Sequence, residues 1–582
     1  MKKCYAGLGL VLALTASSAL AQTAVTWTNN LSDDWFSANN WNPVGIPQTT
    51  DRAIFTNSPA NSYSVKLTDH VTVTSMYVRA TGGNVALNFD VNGKTMLVTR
   101  TNDNSLSFSV QAAAGSQIDL VITSSVAGGV FDARMVRTGS DLGGVVTRTN
   151  NITFAGSNLM VRLAADDWRS GGATDINLNV SGSGTLKMSD GVTVVASNAF
   201  IFGSTSDARS LLWLVTDPGT VVTNPHVSPL FMSARAASFT TVPTIVVSNQ
   251  AKFYLPAGLV TMASGANSNV YDNAAGRIIV SGSDSLMITS NNQWGVTAGN
   301  VGKTAGAFLL VEDGGRFEAG GYIQMGIGRQ STYTNELAYG QAIVRDTGSV
   351  LKVGTTFNVG YVGSGDVRVE NGARLEAGTL WLAYGILTHT NKNALGTLLV
   401  TGAGSTGQVS TLTFGGNGGG YGQVTVSSNA TLRVSGTSTL WDRSQLTISD
   451  AAMEGAALVF ETNTTARIEL GERAHANAYI QLTGVMTIKT GVALEIAFLD
   501  NFDYTSLQLG DDVSLMKFTS FTGGFAGWTS GVTILNSGGY EFLYTEYTDE
   551  IYLSVSAIPE PGTLGMIGIG IGLAAVLRRR RR

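Results

Sequence analysis

A strand–turn–strand unit recurs along this chain and limits the folds open to it. Segments 309–320, 342–354 and 367–378 each hold an alternating apolar–polar stretch, a turn rich in Asp, Asn and Gly, a second such stretch and then a glycine; 424–434 is a looser copy. Alternation with a period of two is typical of β-strands. The anchor valines of successive units are separated by 31, 33, 25, 31 and 26 residues; they are Val280, Val311, Val344, Val369, Val400 and Val426.

This uneven spacing favours a parallel β-helix. In such a solenoid each coil is one unit, equivalent strands of successive coils pair along the axis, and insertions bulge at the turns. A sandwich or propeller, the alternative, needs antiparallel partners within each unit. The sequence therefore predicts an all-β chain whose body, 61–490, is a parallel β-helix (β-solenoid), with the clearest repeats over 300–435. Its 70 glycines, 10 prolines and 13% charged residues suit many short strands and tight turns.

Aromatic residues mark both ends of the body. Trp27, Trp35 and Trp41 fall in the segment 22–60, and many more aromatics fall in 491–556. Because a bare end of a solenoid exposes unpaired strand edges, we predict capping modules at these two places. A platform of tryptophan rings that stacks sugars is the alternative for the N-terminal module.

The N-terminal module also carries a family resemblance. The pattern W-x7-W-x4-NW-x5-P-x3-D-x-A-x-F runs from Trp27 to Phe55. It resembles the opening of secreted bacterial proteins with autotransporter-associated β-strand repeats. Together with the repeats over 300–435, the resemblance implies a solenoid like an autotransporter passenger.

The first 21 residues have the three parts of a secretory signal peptide. Lys2 and Lys3 precede an apolar run over 7–14, and Ala19 and Ala21 form the small-x-small pattern that a signal peptidase accepts. A retained anchor is the alternative, but the run is short for a membrane span of about 20 residues. We predict cleavage after the second of these alanines, following export through the translocon.

The C-terminus has three features in a fixed order. Pro559, Glu560 and Pro561 are followed by an apolar, glycine-rich run over 563–577. Five arginines then end the chain: Arg578, Arg579, Arg580, Arg581 and Arg582. The run predicts a short transmembrane helix, and the arginines predict a cytoplasmic end with the body outside. A plain membrane anchor is the simplest interpretation.

The whole segment 557–582 resembles the PEP-CTERM sorting signal of Gram-negative bacteria. In that family an exosortase-type membrane peptidase is thought to cut at or near the Pro-Glu-Pro motif. The resemblance therefore implies an inner-membrane-anchored precursor, processing near 559–561, and a mature form at the cell surface or outside the cell.

Charge excludes one class of partner. Seven of the 36 basic residues lie in 1–21 and 562–582, which hold no acidic residue, so 29 basic and 41 acidic residues remain in the body, a net charge of −12. Nucleic acids need basic patches, so none is expected as a partner. The one cysteine, Cys4, lies in the signal peptide, so the mature chain has no disulfide and no thiolate ligand for a metal.

No catalytic set stands out. The adjacent acids are Asp33–Asp34, Asp166–Asp167, Glu312–Asp313 and Asp511–Asp512. Neighbouring residues of a strand point to opposite faces, so such a pair cannot form a two-acid site by itself. The four histidines lack metal-ligand spacing: His70, His226, His389 and His475. We therefore predict no enzyme activity, no catalytic residue, no metal and no cofactor.

Two functions follow as hypotheses. The first is a non-enzymatic exported surface or extracellular-matrix protein, structural or adhesive, with exopolysaccharide or other biofilm matrix components as partners. The second is a carbohydrate-binding or polysaccharide-degrading β-helix. A groove with three or more convergent acidic and basic side chains would favour the second hypothesis, and a surface covered by Ser, Thr and Asn would favour the first.

Overall fold

The computed structural model describes most of the chain between residues 23 and 558. The described ranges are 23–28, 33–56, 62–99, 108–113, 115–133, 136–138, 149–163, 176–178, 182–196, 200–202, 208–225, 230–232, 234–235, 242–264, 273–297, 304–328, 337–384, 394–415, 420–441, 443–471, 479–504, 506–535 and 540–558. Strands dominate these ranges, and Ala38–Asn40 is a single 3-10 turn. The prediction of an all-β chain is confirmed.

A first sheet is built from one strand of each coil, each pairing in parallel with the next. Its strands are Ser62–Lys66, Val85–Asp90, Gln117–Thr123, Thr149–Ala155, Gly182–Ser189, Ala208–Val215, Thr244–Ser248, Asn273–Ser281, Thr304–Glu312, Leu337–Arg345, Ser364–Glu370, Leu395–Thr401, Tyr421–Ser427, Gln445–Ser449, Thr465–Leu470 and Ala493–Phe498. Ala234–Arg235 joins it in antiparallel. Parallel pairing between distant strands is consistent with a β-solenoid.

One inward residue per strand forms a continuous buried column through this sheet. The column is Val65, Phe89, Ile122, Phe154, Met188, Val215, Val247, Val280, Val311, Val344, Val369, Val400, Val426, Ile448 and Ile468. Each side chain is at most 2% exposed. At about 4.8 Å between neighbouring strands the column is about 65 Å long. The six valines that define the sequence repeat are consecutive members of this column.

Most of the remaining strands also pair in parallel from coil to coil, whereas Trp41–Asn42 and the strands after residue 532 pair in antiparallel. Before residue 350 the remaining strands are Ala24–Trp27, Trp41–Asn42, Arg52–Thr56, Val71–Val73, Ser75–Ala80, Thr95–Val98, Phe108–Ala112, Gly129–Ala133, Val136–Thr138, Leu159–Leu163, Ile176–Leu178, Thr193–Ala196, Phe200–Phe202, Val221–Thr223, Leu230–Met232, Lys252–Ser264, Leu286–Thr297, Arg316–Ala319 and Ile323–Gly328. After it they are Val350–Val359, Arg374–Leu382, Thr406–Phe414, Thr431–Leu440, Ala452–Phe460, Ile480–Leu482, Val485–Ile488, Asp512–Lys517, Ser520–Thr522, Thr533–Leu535, Glu541–Glu546 and Glu550–Ala557. Apolar side chains from both sets of strands pack into one core.

Buried hydroxyl groups connect the turns of successive coils. Asp313 and Gly314 form a turn with positive φ angles of 53° and 82°. The Gly314 N–H donates to the Oγ of Ser349, one coil further on, at 3.0 Å. The same bond recurs in other coils from Gly93 to Ser124, Gly191 to Thr220, Gln250 to Ser285, and Gly372 to Ser405. This column of hydroxyls satisfies turn N–H groups that the strands leave unpaired.

The three N-terminal tryptophans lie inside the core at the first coil. Trp27, Trp35 and Trp41 are 1%, 0% and 1% exposed. The Trp41 ring lies 5.0 Å from the Trp27 ring and 4.7 Å from the Trp35 ring, and all three contact Phe55. Rings without an exposed face cannot stack on a sugar, so the structure contradicts the sugar-platform interpretation for these residues. Burial of apolar area explains their placement.

At the C-terminal end the strand direction changes. The last strand, Glu550–Ala557, lies between Asp512–Lys517 and Glu541–Glu546 and pairs with both in antiparallel. The Phe498 and Phe542 rings pack 4.9 Å apart beneath it. The transmembrane helix predicted over 563–577 lies outside the described residues. None of the described residues forms a helix that could span a lipid bilayer.

Candidate functional site

Two glycines that end repeat units, Gly354 and Gly378, lie where the register between neighbouring strands of the second set shifts; we call this place the glycine bend. A Cβ atom at Gly354 would lie 2.2 Å from the Gly320 carbonyl oxygen, and one at Gly378 would lie 2.4 Å from that of Thr355. Real Cβ atoms do not approach main-chain oxygens this closely, so glycine is required where one coil stacks on another here. The bend therefore has no side chains at these positions.

A groove of about 720 Å³ runs along this bend, and its lining residues come from six successive coils. We call the outward side chains on one side of it the groove row: Lys352, Glu376, Gln408, Arg433 and Glu454. They are consecutive register partners in neighbouring strands. Ser410, Ser435 and Thr483 add hydroxyl groups to the lining. Gly354 and Gly378 leave room in two coils of the groove, and small residues follow the row in the next three: Ser410, Ser435 and Ala456.

Most charges of the groove row are already paired. Arg374 Nη2 lies 2.8 Å from Glu376 Oε1, and Arg433 Nε lies 2.9 Å from Glu454 Oε2. Lys352 differs, because its ammonium group has no ion pair with any described residue. The exposed ion pairs of Glu376 and Glu454 contribute little to the free energy of unfolding, about 0–1 kcal/mol each. Their effect here is to neutralise both carboxylates of the row.

The carboxylates of the row are poorly placed for two-acid hydrolysis. Glu376 and Glu454 are three strand spacings apart, about 14 Å, which exceeds the roughly 5–10 Å of glycosidase pairs. Glu318 is two strand spacings from Glu376, at the upper end of this range, but Lys352 is the register partner of both and lies between the two carboxylates. Glu318 forms an ion pair with Arg316 on its own strand. The charged side chains therefore form a line along the solenoid and do not surround one point.

The acidic pairs noted in the sequence support local structure. Asp34 Oδ1 accepts hydrogen bonds from the Phe36 main-chain N–H at 3.0 Å and the Thr68 hydroxyl at 2.9 Å. The Glu312 carboxylate forms an ion pair with Arg345 one coil further on. The hydrogen bond to Glu312, and then its charge, raises the pKa of Arg345. Both acids are therefore engaged within the fold.

The C-terminal pair behaves in the same way. Asp511 Oδ2 accepts from the Gln508 main-chain N–H at 2.7 Å, and Asp512 Oδ1 accepts from the Ser554 hydroxyl at 2.6 Å. The pair Asp166–Asp167 lies outside the described residues.

Of the four histidines, the structure describes His70. Its Nδ1 accepts a hydrogen bond from the Thr95 main-chain N–H at 3.0 Å on the exposed surface. His226, His389 and His475 lie outside the described ranges. In the part of the chain that the structure describes, no three His, Cys, Asp or Glu side chains are grouped as metal ligands.

The comparison with protein families bears on the other end of the chain. Residues 557–582 match the family model of the PEP-CTERM protein-sorting motif. The chain carries an exosortase sorting signal. The motif implies an exported protein that an exosortase-type enzyme processes, as the order of the three C-terminal features predicted. None of the curated proteins compared with the chain matches it.

The individual residues of the sorting motif remain predictions. Pro559, Glu560 and Pro561 lie directly after the last described residue, Ile558, and outside the described ranges with the arginines of 578–582. Ala19 and Ala21, the predicted signal-peptidase site, also lie outside them. The groove, in contrast, was not predicted. The recurring glycine was its sequence signal, but the clash that requires it appears only when coils stack.

Proposed function

We propose that the body is a non-enzymatic scaffold of the cell surface or extracellular matrix, with a fold like an autotransporter passenger. The observation that carries this proposal is the buried column, which joins fifteen coils from Val65 to Ile468. Stability in such a stack comes from contacts between neighbouring coils, so a long rod needs no disulfide or metal. A stiff rod about 65 Å long suits a spacer or matrix element.

The outer face of the first sheet supports this role. The outward residues Thr397, Gln423, Gln445 and Thr465 are register partners in four successive coils. All four are polar, uncharged and at least partly exposed. Such a face hydrates well and presents hydrogen-bonding groups at regular spacing, which suits contact with a hydrated exopolysaccharide matrix.

The processing order follows from the sorting motif. We propose export through the translocon, removal of residues 1–21 by signal peptidase, and transient anchoring by 563–577 with the arginines in the cytoplasm. The exosortase-type peptidase then cuts near 559–561. In this scheme 22–60 and 491–556 cap the solenoid body 61–490, and 557–582 is discarded or exchanged.

Substituting Pro559, Glu560 and Pro561 together by alanine tests the processing step. The variant is expected to stay in the inner membrane fraction while its circular dichroism and Tm match those of the unaltered protein. Thr548→Ala, in an exposed turn near the same end, is the control and should leave processing unchanged. Normal release of the triple variant would contradict the proposal.

A second assay addresses the absence of catalysis that we propose. Incubation of the purified protein with neutral and acidic polysaccharides should release no new reducing ends and no unsaturated products. Turnover that survives purification to homogeneity would overturn the scaffold proposal and favour a polysaccharide-degrading enzyme.

A further inference from the structure

We propose that the groove along the glycine bend binds an extended polysaccharide of low charge, lying parallel to the solenoid axis. This activity goes beyond the scaffold role, because a displayed rod does not need it. The groove row presents one polar side chain per coil over five coils.

The spacing of the groove row favours a glycan over a peptide. Neighbouring coils repeat every ~4.8 Å, whereas an extended peptide presents side chains on one face every ~6.7 Å, so the two lose register within about two coils. Grooves that bind polyproline-type peptides are lined by aromatic residues, and the residues lining this groove include none. The length of a pyranose residue in an extended chain is close to one coil spacing, so each sugar meets an equivalent position.

The polar groups that remain available match sugar hydroxyls. The side chains of Lys352 and Gln408 are exposed and form no hydrogen bond or ion pair with other described residues. An ammonium group donates, and a carboxamide both donates and accepts. The hydroxyls of Ser410, Ser435 and Thr483 both donate and accept as well. This mixture of donors and acceptors suits a polysaccharide, because every sugar residue carries hydroxyl groups that both donate and accept hydrogen bonds.

Charge sets the class of polysaccharide. The arginines at 374 and 433 neutralise the carboxylates of Glu376 and Glu454, which leaves Lys352 as the one unpaired charge of the groove row among the described residues. The body as a whole carries a net charge of −12. Its field repels a polyanion, whereas a neutral chain is not repelled. The absence of side chains at Gly354 and Gly378 lets such a chain approach the main chain.

Binding to purified, processed protein tests this proposal. The probes are soluble neutral glucan, mannan, xylan and galactan, together with a polyuronate and an extended peptide, each measured by titration calorimetry. Lys352→Ala combined with Gln408→Ala should raise the Kd for a neutral glycan about tenfold. The matched control, Lys94→Ala combined with Gln508→Ala, lies outside both the groove and the first sheet and should change the Kd less than about twofold.

A blocking variant gives a second readout. Ser435 is exposed in the groove, so Ser435→Trp should abolish binding without a change in Tm, whereas Thr548→Trp, exposed outside the groove, should leave binding intact. The proposal is overturned if no neutral glycan binds, if the polyuronate or peptide binds more tightly, or if groove and control variants bind alike. Membrane release and Tm test the scaffold role and do not depend on glycan binding. Either proposal can therefore be contradicted while the other stands.

Discussion

The indole Nε1 of Trp528 donates a 2.9 Å hydrogen bond to the main-chain carbonyl of Leu494. Leu494 lies in Ala493–Phe498, the last strand of the first sheet. Among the described residues, this strand pairs with Thr465–Leu470 on one side and with no strand on the other. The Ala526 N–H donates to the Val492 carbonyl in the same region at 2.7 Å. A tryptophan side chain thus supplies a donor that the next coil would otherwise provide, and it covers an edge open to aggregation.

Trp528→Phe should lower the free energy of unfolding by about 1–2 kcal/mol, because the Leu494 carbonyl loses its donor. Thermal and denaturant unfolding measure the change. The control is Trp381→Phe, a half-exposed ring that packs on Tyr384. It should cost less than about 0.5 kcal/mol. Equal losses would show that the hydrogen bond at the edge is unimportant.

Gly378→Ala should destabilise the fold by about 1–3 kcal/mol, because the new Cβ meets the Thr355 carbonyl at 2.4 Å. The matched control is Gly524→Ala, where a Cβ has no neighbour within 4 Å. That variant should stay within about 0.5 kcal/mol of the unaltered protein. A stable Gly378→Ala protein would mean that the coils can separate at the bend.

Ser349→Ala removes the buried acceptor of the Gly314 N–H and should cost about 1–2 kcal/mol in a denaturant titration. Ser349→Thr should recover most of this stability, because Thr220 makes the same bond in an earlier coil. If threonine and alanine behave alike, the hydroxyl column does not contribute to stability.

Alkaline pH should destabilise the C-terminal end through Tyr544. Burial, and then the hydrogen bond to Glu546, raises the pKa of Tyr544 well above its ordinary value. An unfolded tyrosine ionises near pH 10, so this stabilisation is complete below pH ~10 and is lost as pH rises further. At pH 11 the loss is about 1.4 kcal/mol. Tyr544→Phe should remove this part of the decline in the free energy of unfolding between pH 9 and pH 11. The same pH dependence in the variant and the unaltered protein would contradict the assignment to Tyr544.

Much of the fold could be predicted from particular residues. The valines from Val280 to Val426 are register partners despite steps of 25 to 33 residues between them. An alternating strand has one inward face, and insertions are absorbed in turns, so the pattern survives uneven spacing. The chain before residue 280 repeats less clearly, yet Phe89, Ile122 and Phe154 continue the same column. There the column accepts any large apolar side chain, which hides the repeat.

The tryptophans show where sequence reasoning left a choice open. Spacing alone allowed Trp27, Trp35 and Trp41 to be buried or to form a sugar platform. Burial was decided by packing on Phe55 and Phe89, residues up to 54 positions away in the chain. No local pattern encodes such contacts.

The sequence by itself determined the β-strand content, the coil-to-coil repeat and the C-terminal sorting motif, because each depends on residues that are close together in the chain. Only the tertiary structure decided the groove, the hydroxyl column and the edge contact between Trp528 and Leu494. These features join residues roughly 30 positions apart that become neighbours when coils stack about 4.8 Å from one another. The stacking of coils sets the distance between their side chains, so this distance cannot be predicted from the order of residues alone.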